Sequence, residues 1–114
     1  MQILNPSFLL AAAIFFFQQA TPPVPLIREN VTVKVSEHVY VISDGSVGGV
    51  PNVGIIVGNK ATLVVDTGLG PRNGQTVLKE VGKVSKNADL LVMATHFHAE
   101  HVLGESAFPS TAKS

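Results

Sequence analysis

Apolar and polar residues alternate along the chain from Val31 to Ile42. Val31, Val33 and Val35 point one way and Thr32, Lys34 and Ser36 the other; past Glu37–His38, Val39 and Val41 continue against Tyr40 and Ile42. A period of two among β-branched residues predicts two strands of a half-buried sheet. GSVGGVPN then interrupts the pattern as a loop. In VGIIVGNKATLVVDTG, two apolar runs meet at Gly58–Asn59–Lys60, which predicts a hairpin. The first part of the chain therefore reads as an antiparallel meander.

The period changes after Gly70. Pro71 suits a first helical turn. Val77, Leu78, Val81 and Val84 then lie on one helical face, with Lys79, Glu80, Lys83 and Lys86 mostly elsewhere. Asn87–Ala88–Asp89 ends the helix, and LLVMA is a continuous apolar run, expected of a strand buried on both faces. Strand, crossover helix and strand form a βαβ unit, which places the last two strands parallel. Met93 and Phe97 read as core residues on the approach to a polar cluster. The fold class is α/β (α+β), antiparallel strands followed by the βαβ unit.

Residues 1–20 stand apart. Phe8–Phe17 is an uncharged apolar run, about half the length that spans a bilayer, followed by QQA and the break TPPVP. It reads as a secretory leader cleaved after Ala20, which predicts an exported protein, periplasmic or secreted, with no stable membrane span once the leader is removed. Residues 21–30 read as a proline-rich linker, and residues 31–114 as the folded part.

Composition narrows the chemistry. Of 114 residues, 46% are hydrophobic and 14% charged, a globular balance. Eight basic and eight acidic residues cancel, so no field gathers nucleic acid or an anionic membrane. Cysteine is absent, so any metal must be bound through nitrogen and oxygen.

Three of the four histidines crowd into ATHFHAEHVLGES: His96, His98 and His101, with Glu100 among them. If Phe97 points into the fold, an extended backbone turns His96 and His98 the same way. EHVLGESAF reads as the opening of a helix, so the cluster sits where a strand hands over to a helix. Imidazole and carboxylate donors at this spacing suit zinc or a similar divalent metal. His38, alone at a strand junction, reads as an exposed or hydrogen-bonded residue.

THFHAEH, preceded by LVVDTG and a helix, resembles the signature of the metallo-β-lactamase superfamily, His-x-His-x-Asp-His after a strand with an Asp-Thr-Gly strand end upstream. The resemblance runs from about Val35 to Phe108. It implies a four-layer αββα sandwich of two similar halves, on the order of 200 residues, of which this chain carries the N-terminal one. His96 and His98 would bind a first zinc, and Glu100 and His101 would contribute to a second. Asp66 would orient ligands from beside the site. The implied activity is hydrolysis of a small ester, thioester, lactam or phosphoester-type substrate by metal-activated water, with Glu100 or Asp66 handling protons. The other half would supply the remaining ligands, so the 114 residues alone are expected to be inactive and poorly stable. Glu100 stands where the family has Asp; the extra methylene moves the carboxylate by roughly 1.5 Å.

Two other functions compete. One keeps the fold without turnover, as a metal-binding module. The other is nucleotide binding, because Gly68, Gly70 and Gly74 lie between a strand and a helix; Asn73, however, holds the third glycine position of the fingerprint. The plainer reading gives these glycines to the turn and to close helix packing.

Overall fold

The computed structural model describes residues 20–114, so the leader reading, Ala20 excepted, lies outside the described residues. Five strands form one sheet in sequence order: β1 (Thr32–Lys34), β2 (Val39–Ile42), β3 (Val53–Val57), β4 (Ala61–Val65) and β5 (Asp89–Met93). The first four pair antiparallel, and β4 pairs β5 parallel. Helix α1 (Pro71–Val84) makes the crossover, and the short helix α2 (Ala99–Val102) runs into a 3₁₀ turn, Leu103–Ala107. Beyond it, Lys113 bridges to Leu91 in the parallel sense, covering part of the outer edge of β5. No helix among the described residues is long and apolar enough to cross a membrane.

Val77 and Val81 of α1 bury against Ile42, Val53, Ile55, Val64 and Val92, with Ile27 and Phe108 closing the rim. Helix α1 starts at Pro71 without a side-chain cap. Asn73 does the anchoring: its Oδ1 accepts from Ile27 N–H at 2.8 Å, and its Nδ2 donates to the carbonyls of Pro25 and Leu69. Residues 25–30 are thus held against the helix.

The opposite face of the sheet carries a second apolar set. Val33, Val41, Gly54, Val65 and Met93 fall in one row across all five strands, and Val39, Ile56, Leu63 and Leu91 in the next. No helix among the described residues covers them, and Met93 is 49% and Leu91 39% exposed. This corrects two expectations. LLVMA is buried on one face only, because α1 covers one side of β5, and Met93 is therefore not core. Val33 of β1 and Val35 just beyond it lie outward while Ile42 of β2 is buried; alternation marks two faces without saying which one a helix will cover.

Glu80 is the third correction. It belongs to the buried side of α1, with no exposed surface. It accepts from Asn30 N–H at 3.0 Å, from the Thr32 hydroxyl at 2.5 Å and from the Lys83 ammonium. Burial alone would raise its carboxyl pKa; the hydrogen bonds from Lys83, Thr32 and Asn30 outweigh burial and hold it below the ordinary value. Lys83 also donates to Asn30 Oδ1 at 2.7 Å, so one carboxylate fastens β1 and the segment before it to the helix.

Candidate metal centre

Strand β4 ends at Val65, opposite Met93 of β5. Parallel pairing brings the two carboxyl ends to one rim, where open α/β sheets usually bind ligands. Asp66, the next residue, adopts φ 67°. That left-handed turn is tolerated by Asp better than by most residues. It tips a buried carboxylate over the end of β5, while Asp66 N–H still donates to the Met93 carbonyl at 2.8 Å.

Asp66 then collects donors from the cluster. Thr95 N–H reaches Oδ1 at 2.8 Å, the Thr95 hydroxyl lies 2.9 Å from Oδ2, and His101 Nδ1 lies 2.8 Å from Oδ2. His101 is pinned from behind as well, because its carbonyl accepts from both the N–H and the hydroxyl of Thr67. This junction leaves no room for side chains at two glycines. A Cβ on Gly74 would stand 1.9 Å from the Gly104 carbonyl oxygen, and one on Gly104 1.9 Å from that of Thr67. Gly74 thus lets α1 close against the 3₁₀ turn, a packing role.

His96 and His98 face one another, Nε2 to Nδ1, at 3.0 Å. The rings of His96 and His101 lie 3.9 Å apart. Glu100 Oε1 is 4.0 Å from His98 Nδ1 and 3.7 Å from His101 Nε2. The structure therefore brings His96, His98, Glu100, His101 and Asp66 to one rim. His38 is at the other end of the sheet, where its carbonyl accepts from Val57 N–H. Phe97 is corrected: it is 85% exposed, so both imidazoles converge while the ring between them points to the open side.

As arranged, no group of three or more His, Asp or Glu side chains among the described residues is set to hold a metal ion. The donor chemistry fits zinc in part. Two nitrogens about 2.0–2.1 Å from a tetrahedral ion stand about 3.3 Å apart, and the His96–His98 pair is close to that spacing. Glu100 Oε1 and His101 Nε2, 3.7 Å apart, stand at a similar spacing, but as arranged no third side chain among the described residues joins either pair.

Thr95 is the residue that sequence reasoning passed over. Its hydroxyl lies 3.0 Å from His96 Nδ1 and 3.3 Å from His101 Nδ1, as well as against Asp66. The available signal was its place directly before the first histidine, at the end of the strand parallel to the one that delivers Asp66.

The mixed five-stranded sheet with its helices is the α/β architecture of part of a metallo-β-lactamase-type sandwich. Among the solved structures it resembles is the crystal structure of DIM-1 metallo-β-lactamase exposed to ceftazidime, with a TM-score of 0.50 and 22% identity, covering 75% of this chain and 39% of that one. The match thus spans about two fifths of the solved chain. No protein-family model matches the sequence, and no curated protein matches it.

Proposed function

We propose that this chain provides the histidine-bearing half of a metal-dependent hydrolase. The observation that carries the reading is the His96 Nε2–His98 Nδ1 pair at 3.0 Å, set at the carboxyl end of the parallel strands. His96 and His98 would hold the first ion, and His101 and Glu100 would contribute to a second. Zinc, when bound, supplies an activated water and polarises the substrate's carbonyl or phosphoryl oxygen. The chain's own residues do the rest. Asp66, buried and saturated by three donors, holds His101 and Thr95 in place. Glu100, partly exposed and aimed between two imidazoles, is the carboxylate with access to a substrate proton. The substrate is a small ester, thioester, lactam or phosphoester, and the enzyme is exported. A complementary half covers the open sheet face and completes the ligand set; an uncovered apolar face of this size would otherwise invite aggregation.

The test begins with zinc titration of the full chain against a chromophoric chelator. Binding is expected in the wild type and in His38→Ala, and is lost in His96→Ala and His98→Ala. A wild-type chain that takes up no zinc overturns the metal reading. A panel of nitrophenyl ester, thioester, lactam and phosphodiester substrates follows, with a metal-only blank. Turnover by the monomeric chain alone would overturn the need for a second half.

The open donor set favours one rival, a metal-binding module without turnover. Zinc uptake with no hydrolysis, even beside a complementary half, would establish it.

A further inference from the structure

We infer that Thr95 is a positioning residue: its hydroxyl relays the Asp66 charge to His96 and fixes that ring with its proton on Nδ1 and its lone pair on Nε2. The argument is one of donors and acceptors. A carboxylate only accepts, so the Thr95 hydroxyl, 2.9 Å from Asp66 Oδ2, must spend its single hydrogen there. Its remaining oxygen lone pairs can only accept. His96 Nδ1, 3.0 Å away, is therefore the donor of that contact. A neutral imidazole has one N–H, so His96 Nε2 bears the lone pair. The 3.0 Å contact between His96 Nε2 and His98 Nδ1 then takes its hydrogen from His98. His101 Nδ1 donates directly to Asp66 at 2.8 Å, with the Thr95 oxygen as a longer second acceptor at 3.3 Å.

Every hydrogen bond in the cluster consequently runs towards Asp66: His98 to His96 to Thr95 to Asp66, and His101 to Asp66. The hydrogen bond at one ring nitrogen sets which nitrogen is free for other work. Here it leaves Nε2 of both His96 and His101 as lone pairs. Without the Thr95 hydroxyl, nothing near His96 Nδ1 would accept, and the ring could reverse by donating from Nε2 to His98 Nδ1. For both nitrogens of the pair to face a metal, the 58% exposed His98 then has only to shift its proton from Nδ1 to Nε2, whereas a reversed His96 would have to return its proton to an Nδ1 that has no acceptor. The value of Thr95 to function rests on that reading, but the direction of the hydrogen-bond chain does not.

The experiment is two-bond proton–nitrogen correlation of the imidazoles in the metal-free full chain at pH 8. Wild type, Thr95→Val and Thr95→Ser are compared, each checked for fold by its backbone amide spectrum. Thr95→Val keeps the main-chain bond to Asp66 and removes only the hydroxyl. His96 is expected as the Nδ1–H form in the wild type and in T95S, and as the Nε2–H form in T95V. An Nε2–H ring in the wild type, or an unchanged ring in T95V, overturns the inference. Zinc affinity, read by chelator competition, is expected to fall about 10-fold in T95V, at the low end for residues that orient metal ligands, and to recover in T95S. A changed ring with unchanged affinity would overturn the positioning role. If the wild type shows the expected ring yet binds no zinc, the metal reading fails and the Thr95 assignment stands.

Discussion

Glu80 and Asp66 are both buried carboxylates held by three donors, yet they serve different ends. Around Glu80 the donors are Asn30 N–H, Thr32 and Lys83, and the network closes there. Around Asp66 the donors are His101 and the main chain and hydroxyl of Thr95, and the network runs on through His96 to His98, whose side chain is 58% exposed. Burial and saturation are the same in kind. What separates scaffold from site is where the chain of hydrogen bonds ends: one in ordinary packing, the other in imidazole nitrogens facing solvent.

Removing each carboxylate should break the comparison in opposite directions. Glu80→Ala strands two donors of part-buried hydrogen bonds, the Asn30 N–H and the Thr32 hydroxyl, at about 1–3 kcal/mol for each unsatisfied group, so a loss of about 3 kcal/mol is expected in urea unfolding. Its zinc affinity relative to wild type should not change. Asp66→Asn preserves the left-handed backbone, which Asn also tolerates. It replaces one acceptor oxygen by an NH₂ and so turns a donor towards His101 Nδ1 or the Thr95 hydroxyl. Zinc affinity is expected to fall about 10- to 100-fold, as for other groups that orient metal ligands, with a stability loss of only about 1 kcal/mol. Equal stability losses in both variants, with no difference in zinc binding, would abolish the distinction.

Acid should sharpen it further. Glu80 has its folded-state pKa held below the ordinary 4.5, so the unfolded chain binds its proton first as pH falls. The stabilisation is then fully present above about 4.5 and is lost as pH descends through the lower folded value. Urea midpoints measured from pH 7 to pH 3 should fall in the wild type, and fall less steeply in Glu80→Gln. Parallel curves for the two proteins would show that Glu80 does not set the acid limit.

The same two carboxylates show what could be read in the sequence. The strand pattern, the Gly58–Lys60 hairpin, Pro71 at the helix start and the βαβ order were legible because each depends on local periodicity or turn chemistry. The histidine cluster was legible because its members are close in the chain. Glu80 was not: beside Lys79 and Lys83 it looks like a solvent-facing charge, and its burial depends on Asn30 and Thr32, about fifty residues away. The outward Met93 and Phe97 were missed for a related reason. An apolar side chain does not announce whether a neighbouring layer covers it, and here α1 covers one face of the sheet alone.

A third carboxylate completes the series. Glu100 is 31% exposed and touches no donor closely: its Oε1 stands 3.7 Å from His101 Nε2 and 4.0 Å from His98 Nδ1. It contributes little to stability in this arrangement, because exposed ion pairs at such distances are worth about 0–1 kcal/mol. The effect of changing it is therefore expected in metal binding and turnover, not in stability. Shortening it to Asp withdraws the carboxylate by roughly 1.5 Å, away from both ring nitrogens unless the backbone follows. Glu100→Asp is expected to leave the unfolding midpoint and the first equivalent of zinc unchanged, and to weaken a second equivalent severalfold. Tighter second binding in Glu100→Asp would mean that Glu is too long for the position, and that this part of the site is better suited to the shorter acid it lacks.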